Sequence, residues 1–330
     1  MSIKKIQEMT GFSHSTISRV LNGKAQEFRI SDKTCGAILA AAAKIKYRPS
    51  ILARSLRLKK TMTIGLIVPD IKNPFFGELA WRIEILLREQ GYSTIICNTD
   101  GIADNETSYL NTLADREVDG ILIAPIHTEE WSDLEEVRRK KAVVLVVRAL
   151  YQTDLPWVTS DNARAAEELA SELIEQGMTR IAFLGGKEGT YINSARFQGY
   201  RNALRAHRLP FSKKLVMHRD FTIESGEEMM QALLERIPDL QAIFCINNLV
   251  FLGAMRVITR SAKEALDHIM VASFDIARHS DLFRRPLISA NQDMKSIAES
   301  SVSLLLDEIT HNRRPEPRIT IPVQIEKYRF

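Results

Sequence analysis

From Thr61 onward, short apolar runs alternate with amphipathic stretches of helical period. Strands are expected at Ile64–Val68, Thr94–Cys97, Gly120–Ala124, Val143–Val147, Ile181–Leu184, Val216–His218, Ile243–Ile246 and Met270–Phe274. Helices fill the gaps, among them Gly77–Gln90, Asn162–Gln176 and Ser194–Ala206. Near-continuous apolar strands separated by helices predict parallel sheets covered on both faces. Eight or more such strands suit two smaller doubly wound lobes better than one sheet. The halves echo each other, since Gln90-Gly91-Tyr92 and Gln176-Gly177-Met178 each end a helix before a strand. Ligands of such folds bind outside the carboxyl ends of the strands, so two lobes would share one cleft.

The first sixty residues follow a different pattern. Ile6 and Met9 give a first apolar stripe, which Thr10-Gly11-Phe12-Ser13 interrupts. Gly11 suits a turn of positive φ, and Ser13 can cap the next helix. That helix, His14 to Asn22, turns Ile17, Val20 and Leu21 to one side at i, i+3, i+4 spacing. Its other face carries His14, Ser15, Ser18 and Arg19, all hydrogen-bonding and none bulky. A third helix is expected from Ser31/Asp32 through Ile38, Leu39, Ala42 and Ile45. The spacing is that of a helix-turn-helix, which puts its second helix into the major groove. A generic three-helix packing module would show the same periodicity.

Charge separates these two readings. Residues 1–60 hold thirteen Lys or Arg and three acids, a net +10, which leaves −6 for the rest of a chain whose formal charge is +4. A basic head on an acidic body favours a nucleic-acid-binding module attached to something that does not bind nucleic acid. At 330 residues, two or three domains are expected. The 45% hydrophobic and 26% charged content is that of a folded soluble chain, not a disordered one. No apolar run approaches the ~20 residues of a membrane helix, and no apolar segment follows the basic start as in a secretory signal. Cys35, Cys97 and Cys245 are too far apart for a metal cluster and odd in number for a disulfide framework, as expected of a cytoplasmic protein.

The run Ser15-Thr16-Ile17-Ser18-Arg19-Val20-Leu21-Asn22-Gly23 resembles the recognition helix of the LacI/GalR family of bacterial repressors, and Tyr47-Arg48-Pro49-Ser50-Ile51-Leu52-Ala53-Arg54-Ser55-Leu56-Arg57 resembles that family's hinge. The likeness continues through Thr63-Ile64-Gly65-Leu66-Ile67-Val68-Pro69-Asp70 nearly to the end of the chain. It implies that His14, Ser15 and Arg19 read base edges, with Arg19 the bidentate partner of a guanine. Thr16, Asn22 and Tyr47 would hold phosphates. In the hinge, Ala53, Arg54 and Leu56 would enter the minor groove, where Leu56 wedges between base pairs. Helix one departs from the family in Lys5-Ile6-Gln7 and Met9-Thr10-Gly11, and the loop from Lys24 to Ile30 is a residue or two longer than usual.

The resemblance divides the chain into a helix-turn-helix domain at 1–48, a hinge at 49–61 and a core at 62–330 of periplasmic-binding-protein type. Lobe 1 would take about 62–160 and 292–319, and lobe 2 about 161–291 and 320–330. Two half-sites imply a homodimer on operator DNA; with no leucine heptads near the end, a tetramer is not expected.

Strand ends supply the expected ligand contacts: Asn73, Phe75, Phe76, Arg148, Arg196, Phe221, Asn247, Asp275 and Gln292, each at a position that contacts ligand in sugar-binding members of the superfamily. Planar polar groups pair with vicinal hydroxyls, and aromatic faces cover the ring. Two positions depart from the family. Val147 stands where an Asp is common, and Asn247-Asn248 where Asn-Asp is usual. The resulting cationic balance suits a sugar phosphate or another anionic sugar, and also a different neutral one. A nucleobase or a partner protein is the alternative effector, and a sugar-processing enzyme the remote one. Leu184-Gly185-Gly186-Lys187-Glu188 lacks the other elements of a phosphate-binding loop. No catalytic motif, metal-ligand spacing or cofactor fingerprint occurs, so neither catalysis, a metal nor a cofactor is expected.

Overall fold

The computed structural model describes residues 3–47, 60–128, 131–150, 153–261, 268–276, 286–311 and 318–328. They divide into two compact units, Met1–Thr61 and Met62–Phe330.

Among its described residues the first unit contains three helices: α1 (Ile3–Thr10), α2 (His14–Leu21) and α3 (Asp32–Lys44). Ser13 caps α2 by accepting from the Thr16 amide at 3.2 Å, and Ser31 caps α3 by accepting from the Thr34 amide at 3.3 Å. Gly11, at φ 72°, makes the turn between α1 and α2. The core consists of Ile6, Ile17, Val20, Ile38, Ala41, Ala42 and Ile45, with Phe12, Leu21 and Tyr47 packed against it. Two residues expected on its stripes face solvent instead, Met9 at 43% and Leu39 at 53% exposure. The inward line of α3 runs Ile38, Ala42, Ile45, and Leu39 is rotated about 100° from Ile38. The hinge residues Ala53, Arg54 and Leu56 lie outside the described residues.

The second unit holds two six-stranded sheets. In chain order its elements are β1 (Thr63–Val68), α4 (Pro74–Glu89), β2 (Ser93–Asn98), α5 (Ala103–Asp115), β3 (Gly120–Ile123), α6 (Ser132–Lys140), β4 (Ala142–Val146) and β5 (Trp157–Ser160). Then follow α7 (Asn162–Glu175), β6 (Ile181–Gly185), α8 (Tyr191–Ala206), β7 (Val216–His218), α9 (Ile223–Arg236), β8 (Ala242–Cys245), α10 (Asn248–Arg260) and β9 (Met270–Phe274). The last are β10 (Leu287–Gln292), α11 (Met294–His311), β11 (Arg318–Ile321) and β12 (Val323–Tyr328). The first sheet, β11-β5-β4-β3-β1-β2, is parallel throughout. The second, β12-β10-β9-β8-β6-β7, is parallel except where β12 runs against β10.

Four of these strands (β5, β10, β11 and β12) were not expected from the pattern. They are also where the chain changes lobe. It leaves the first sheet after β5, returns after β10, and leaves again between β11 and β12 at Pro322, a little beyond the boundary expected near 319 and 320. Hydrogen bonds tie the crossings together: the Ser160 hydroxyl donates to Gln292 Oε1 at 2.7 Å, and the Asp161 amide donates to the Ile321 carbonyl at 2.9 Å. Glycines let the second lobe close up. A Cβ on Gly186 would lie 2.2 Å from the Phe221 ring, so the Gly185-Gly186 pair makes room for an aromatic wall.

Candidate functional site

Two surfaces carry chemistry. On the head, α2 presents His14, Ser15 and Arg19 to solvent, with Thr16 half-buried beside them. Ser13, Ser15 and Thr16 share hydroxyl hydrogen bonds of 2.8 and 2.9 Å around Ser13. The Asn22 amide donates to the Ser18 carbonyl and hydroxyl, which fixes the end of the helix. Tyr47 packs half-buried against the head core. Sequence reasoning did not pair Arg19 with Phe28, which is exposed in the 24–30 loop and lies under the Arg19 guanidinium with 3.9 Å from carbon to ring centroid. An aromatic in an otherwise polar loop was the available signal.

In the second unit, all nine expected ligand residues converge on one cavity between the lobes. Asn73 caps α4, with its Oδ1 accepting from the Phe75 amide at 3.0 Å, and Phe75 meets Phe76 edge-on at 5.1 Å. Opposite them, Asn247 caps α10 by accepting from the Val250 amide at 2.9 Å, and its amide group donates to the Phe221 carbonyl at 3.4 Å. Asn248, Ile192 and Val147 also line the cavity. Asn248 donates to Asn73 Oδ1 at 2.9 Å and so joins the lobes directly. The doubled asparagine at a strand end was the visible clue to it.

The arginines differ in how they are held. Arg196 is 3% exposed and lies over the Phe274 ring at 3.4 Å. It donates from Nε to Asn162 at 2.8 Å and from Nη1 to the Ile246 carbonyl at 2.5 Å. Among the described residues Arg148 donates only to the Pro125 carbonyl, at 3.3 Å, between the rings of Phe76 and Phe221 at 5.6 and 5.3 Å. Burial pushes both guanidinium groups down, Arg196 to about 9 and Arg148 to about 10. Both stay charged at neutral pH. Burial raises the Asp275 carboxyl above its ordinary range, against the opposing pull of Arg196 and of Gln292, which donates from its backbone at 3.2 Å and its side chain at 2.7 Å.

Backbone strain marks both strand ends. Val147 has φ 67° and Asp275 φ 60°. The Arg148 amide donates to the Val146 carbonyl at 2.7 Å across Val147, and the Thr159 hydroxyl holds the Val147 carbonyl at 2.6 Å. A β-branched residue in that γ-turn is costly, and such outliers concentrate at binding sites. The cavity itself measures about 40 Å³. Small-molecule sites run to roughly 300–1,000 Å³, so this cavity is narrow for a ligand. A second cavity of about 480 Å³ shares Phe75, Asn248, Asp275 and Gln292 with it. Among the described residues no group of side chains is arranged to hold a metal, and no helix is long and apolar enough to cross a membrane.

A helix-turn-helix unit together with a two-lobed α/β core is the construction of a ligand-responsive DNA-binding regulator. Comparison with known proteins agrees. The family described as bacterial regulatory proteins, lacI family, matches residues 2–50, and periplasmic binding proteins and sugar binding domain of LacI family matches residues 61–329. Catabolite control protein A of Priestia megaterium is 30% identical over 99% of this chain and 98% of its own. The ribose operon repressor of Halalkalibacterium halodurans is 29% identical over 98% and 95%. The solved complex of the transcriptional regulator CelR with cellobiose superposes with a TM-score of 0.73 at 26% identity, covering 99% of this chain and 98% of that one. The chain belongs to the LacI family. It is a DNA-binding transcriptional regulator with a sugar-binding core domain.

Proposed function

We propose that this regulator is a repressor whose affinity for operator DNA is set by a sugar or sugar derivative held between Asn73, Phe75, Phe76 and Arg148 on one lobe and Arg196, Phe221, Asn247, Asp275 and Gln292 on the other. The observation that carries this reading is the convergence of nine side chains, from seven separate segments of the chain, on one interlobe cavity. The names of relatives, a ribose operon repressor and a regulator in complex with cellobiose, point to the same ligand class. His14, Ser15 and Arg19 read bases while Thr16, Asn22 and Tyr47 hold phosphates. Ala53, Arg54 and Leu56 engage the minor groove. The protein works as a cytoplasmic homodimer without a catalytic step or cofactor. Its division is a head at 1–48, a hinge at 49–61 and a two-lobed core at 62–330.

Thermal-shift titration of the purified protein with sugars, sugar phosphates and purines tests the ligand class. A ligand at a hundred times its Kd should stabilise by ~2.7 kcal/mol. Stabilisation by a purine alone would overturn the sugar reading. Sedimentation with and without operator DNA tests the dimer, and a monomer mass in both conditions would count against it.

A further inference from the structure

The charges around the interlobe cavity do not balance. Arg148 and Arg196 face it with Asp275 as the carboxylate among its lining residues. Asp275 accepts twice from Gln292 and forms no ion pair within 4.0 Å with either arginine. Arg196 is already committed, to Asn162, to the Ile246 carbonyl and to the face of Phe274. Arg148 is not. Its hydrogen bonding among the described residues is the single 3.3 Å contact to Pro125, which leaves four of the five N–H groups of a guanidinium without a protein acceptor.

The carboxylate whose field reaches Arg148, Glu106, offers no hydrogen bond to it. Glu106 is fully buried and spends both oxygens elsewhere. One accepts from the Ile126 amide at 2.9 Å, the other from the His127 amide at 3.3 Å and from the His127 ring at 2.5 Å. Phe76 and Phe221 offset part of the Arg148 charge through their ring faces. Ring faces do not accept the in-plane N–H groups. A partly desolvated cation with idle donors is unfavourable unless something else accepts from them. The strained turn at Val147, tied down by Thr159, nevertheless holds the arginine here.

We infer that Arg148 is the receptor for an anionic group on the ligand, and that the effector is a polyhydroxylated anion, a sugar acid or a sugar phosphate. A guanidinium fork can also bridge vicinal hydroxyls, but the paired oxygens of a carboxylate or phosphate add the negative charge that a desolvated cation lacks here. Asn247 and Asp275 remain for hydroxyls, and the phenyl rings for the C–H face. The inference rests on the sugar reading of the same cavity and narrows it.

Isothermal titration of the purified full-length protein with matched pairs tests it: glucose against glucuronate and glucose 6-phosphate, galactose against galacturonate, fructose against fructose 1-phosphate. One anion should bind roughly tenfold or more tighter than its neutral parent. The preferred member separates carboxylate from phosphate. Arg148→Met should erase the preference, weakening the anion about tenfold more than its neutral parent, while Arg148→Lys, keeping charge but not the fork, restores part of it. Thermal melting of both variants checks that they fold. Equal binding of neutral parent and anion, or equal weakening of both by Arg148→Met, overturns the anion receptor and leaves the sugar reading standing. Failure of every sugar and every anion to bind overturns both.

Discussion

On the proposed reading of Arg19 as a base-reading residue, its stacking on Phe28 positions it before DNA arrives. A guanidinium that must pair two acceptors of one base loses less entropy on binding when a ring already fixes its plane. Arg19→Ala should cost ~1–3 kcal/mol at one operator position. Phe28→Ala should cost less, about 0.5–1 kcal/mol, and at the same position only. Lys4→Ala should instead weaken all sequences alike and flatten the salt dependence. Binding to operators substituted base by base checks all three, and a uniform loss for Phe28→Ala would sink its positioning role. Asp275 makes a second residue-level prediction. Its carboxyl holds its proton to higher pH in the folded protein than the ordinary 3.8. The folded state therefore binds more protons over that interval, and stability falls as pH rises upward from 3.8. Asp275→Asn removes that slope. Melting curves should show the variant gaining on the parent protein as pH increases through the window, and a parallel pair of curves would refute the argument.

Helix pairs in the core depend on absent side chains. A Cβ on Gly253 of α10 would meet the Ile223 carbonyl at 2.0 Å and the Glu227 amide nitrogen at 2.8 Å, all backbone that cannot rotate away. Alanine normally gains about 1 kcal/mol over glycine in a helix. Here the overlap must push α9 and α10 apart at a cost of ~1–3 kcal/mol, so Gly253→Ala should lower the urea midpoint. Gly36 in α3 has nothing within 4 Å of its Cβ position. The same change there should raise protection of α3 amides from exchange by up to about 1 kcal/mol. The central strands were legible because apolar runs such as Ile64–Val68 are buried on both faces. Trp157–Ser160 is only four residues and follows Pro156, while Leu287–Gln292 carries Ser289, Asn291 and Gln292. Pro322 divides two strands that alternate like edges. The cavity residues were legible because they sit at strand ends, where topology puts ligands, and match ligand positions of the resembling family. Asn248 escaped because its partner Asn73 lies 175 residues away, a proximity that no local pattern encodes.

Taken whole, the core is two lobes joined by three crossings on one side, and among the described residues Asn248 bonds to Asn73 across the cavity. The crossings hydrogen-bond to each other, so relative motion must come from the lobes turning about them. The Asn248–Asn73 bond spans the narrow cavity and would break if the lobes parted. Its net worth is about 0.5–1.5 kcal/mol, which biases closure by roughly two- to tenfold. Asn248→Ala should widen the lobe separation seen by solution scattering in the ligand-free protein. Effector affinity should fall by about the same factor, because binding then has to close the lobes without help. Loss of a direct ligand contact would lower affinity while leaving the ligand-free scattering unchanged, so the two readouts separate latch from contact. The effect on DNA follows by linkage. An effector shifts operator affinity only by its differential affinity for the two lobe arrangements, typically ~1–3 kcal/mol. Weakening closure without touching the head should therefore move the effector midpoint and leave the operator affinity at saturating effector unchanged. A variant with ligand-free scattering identical to the parent protein would mean that the lobes are held by the crossings alone, and the latch would have to be abandoned.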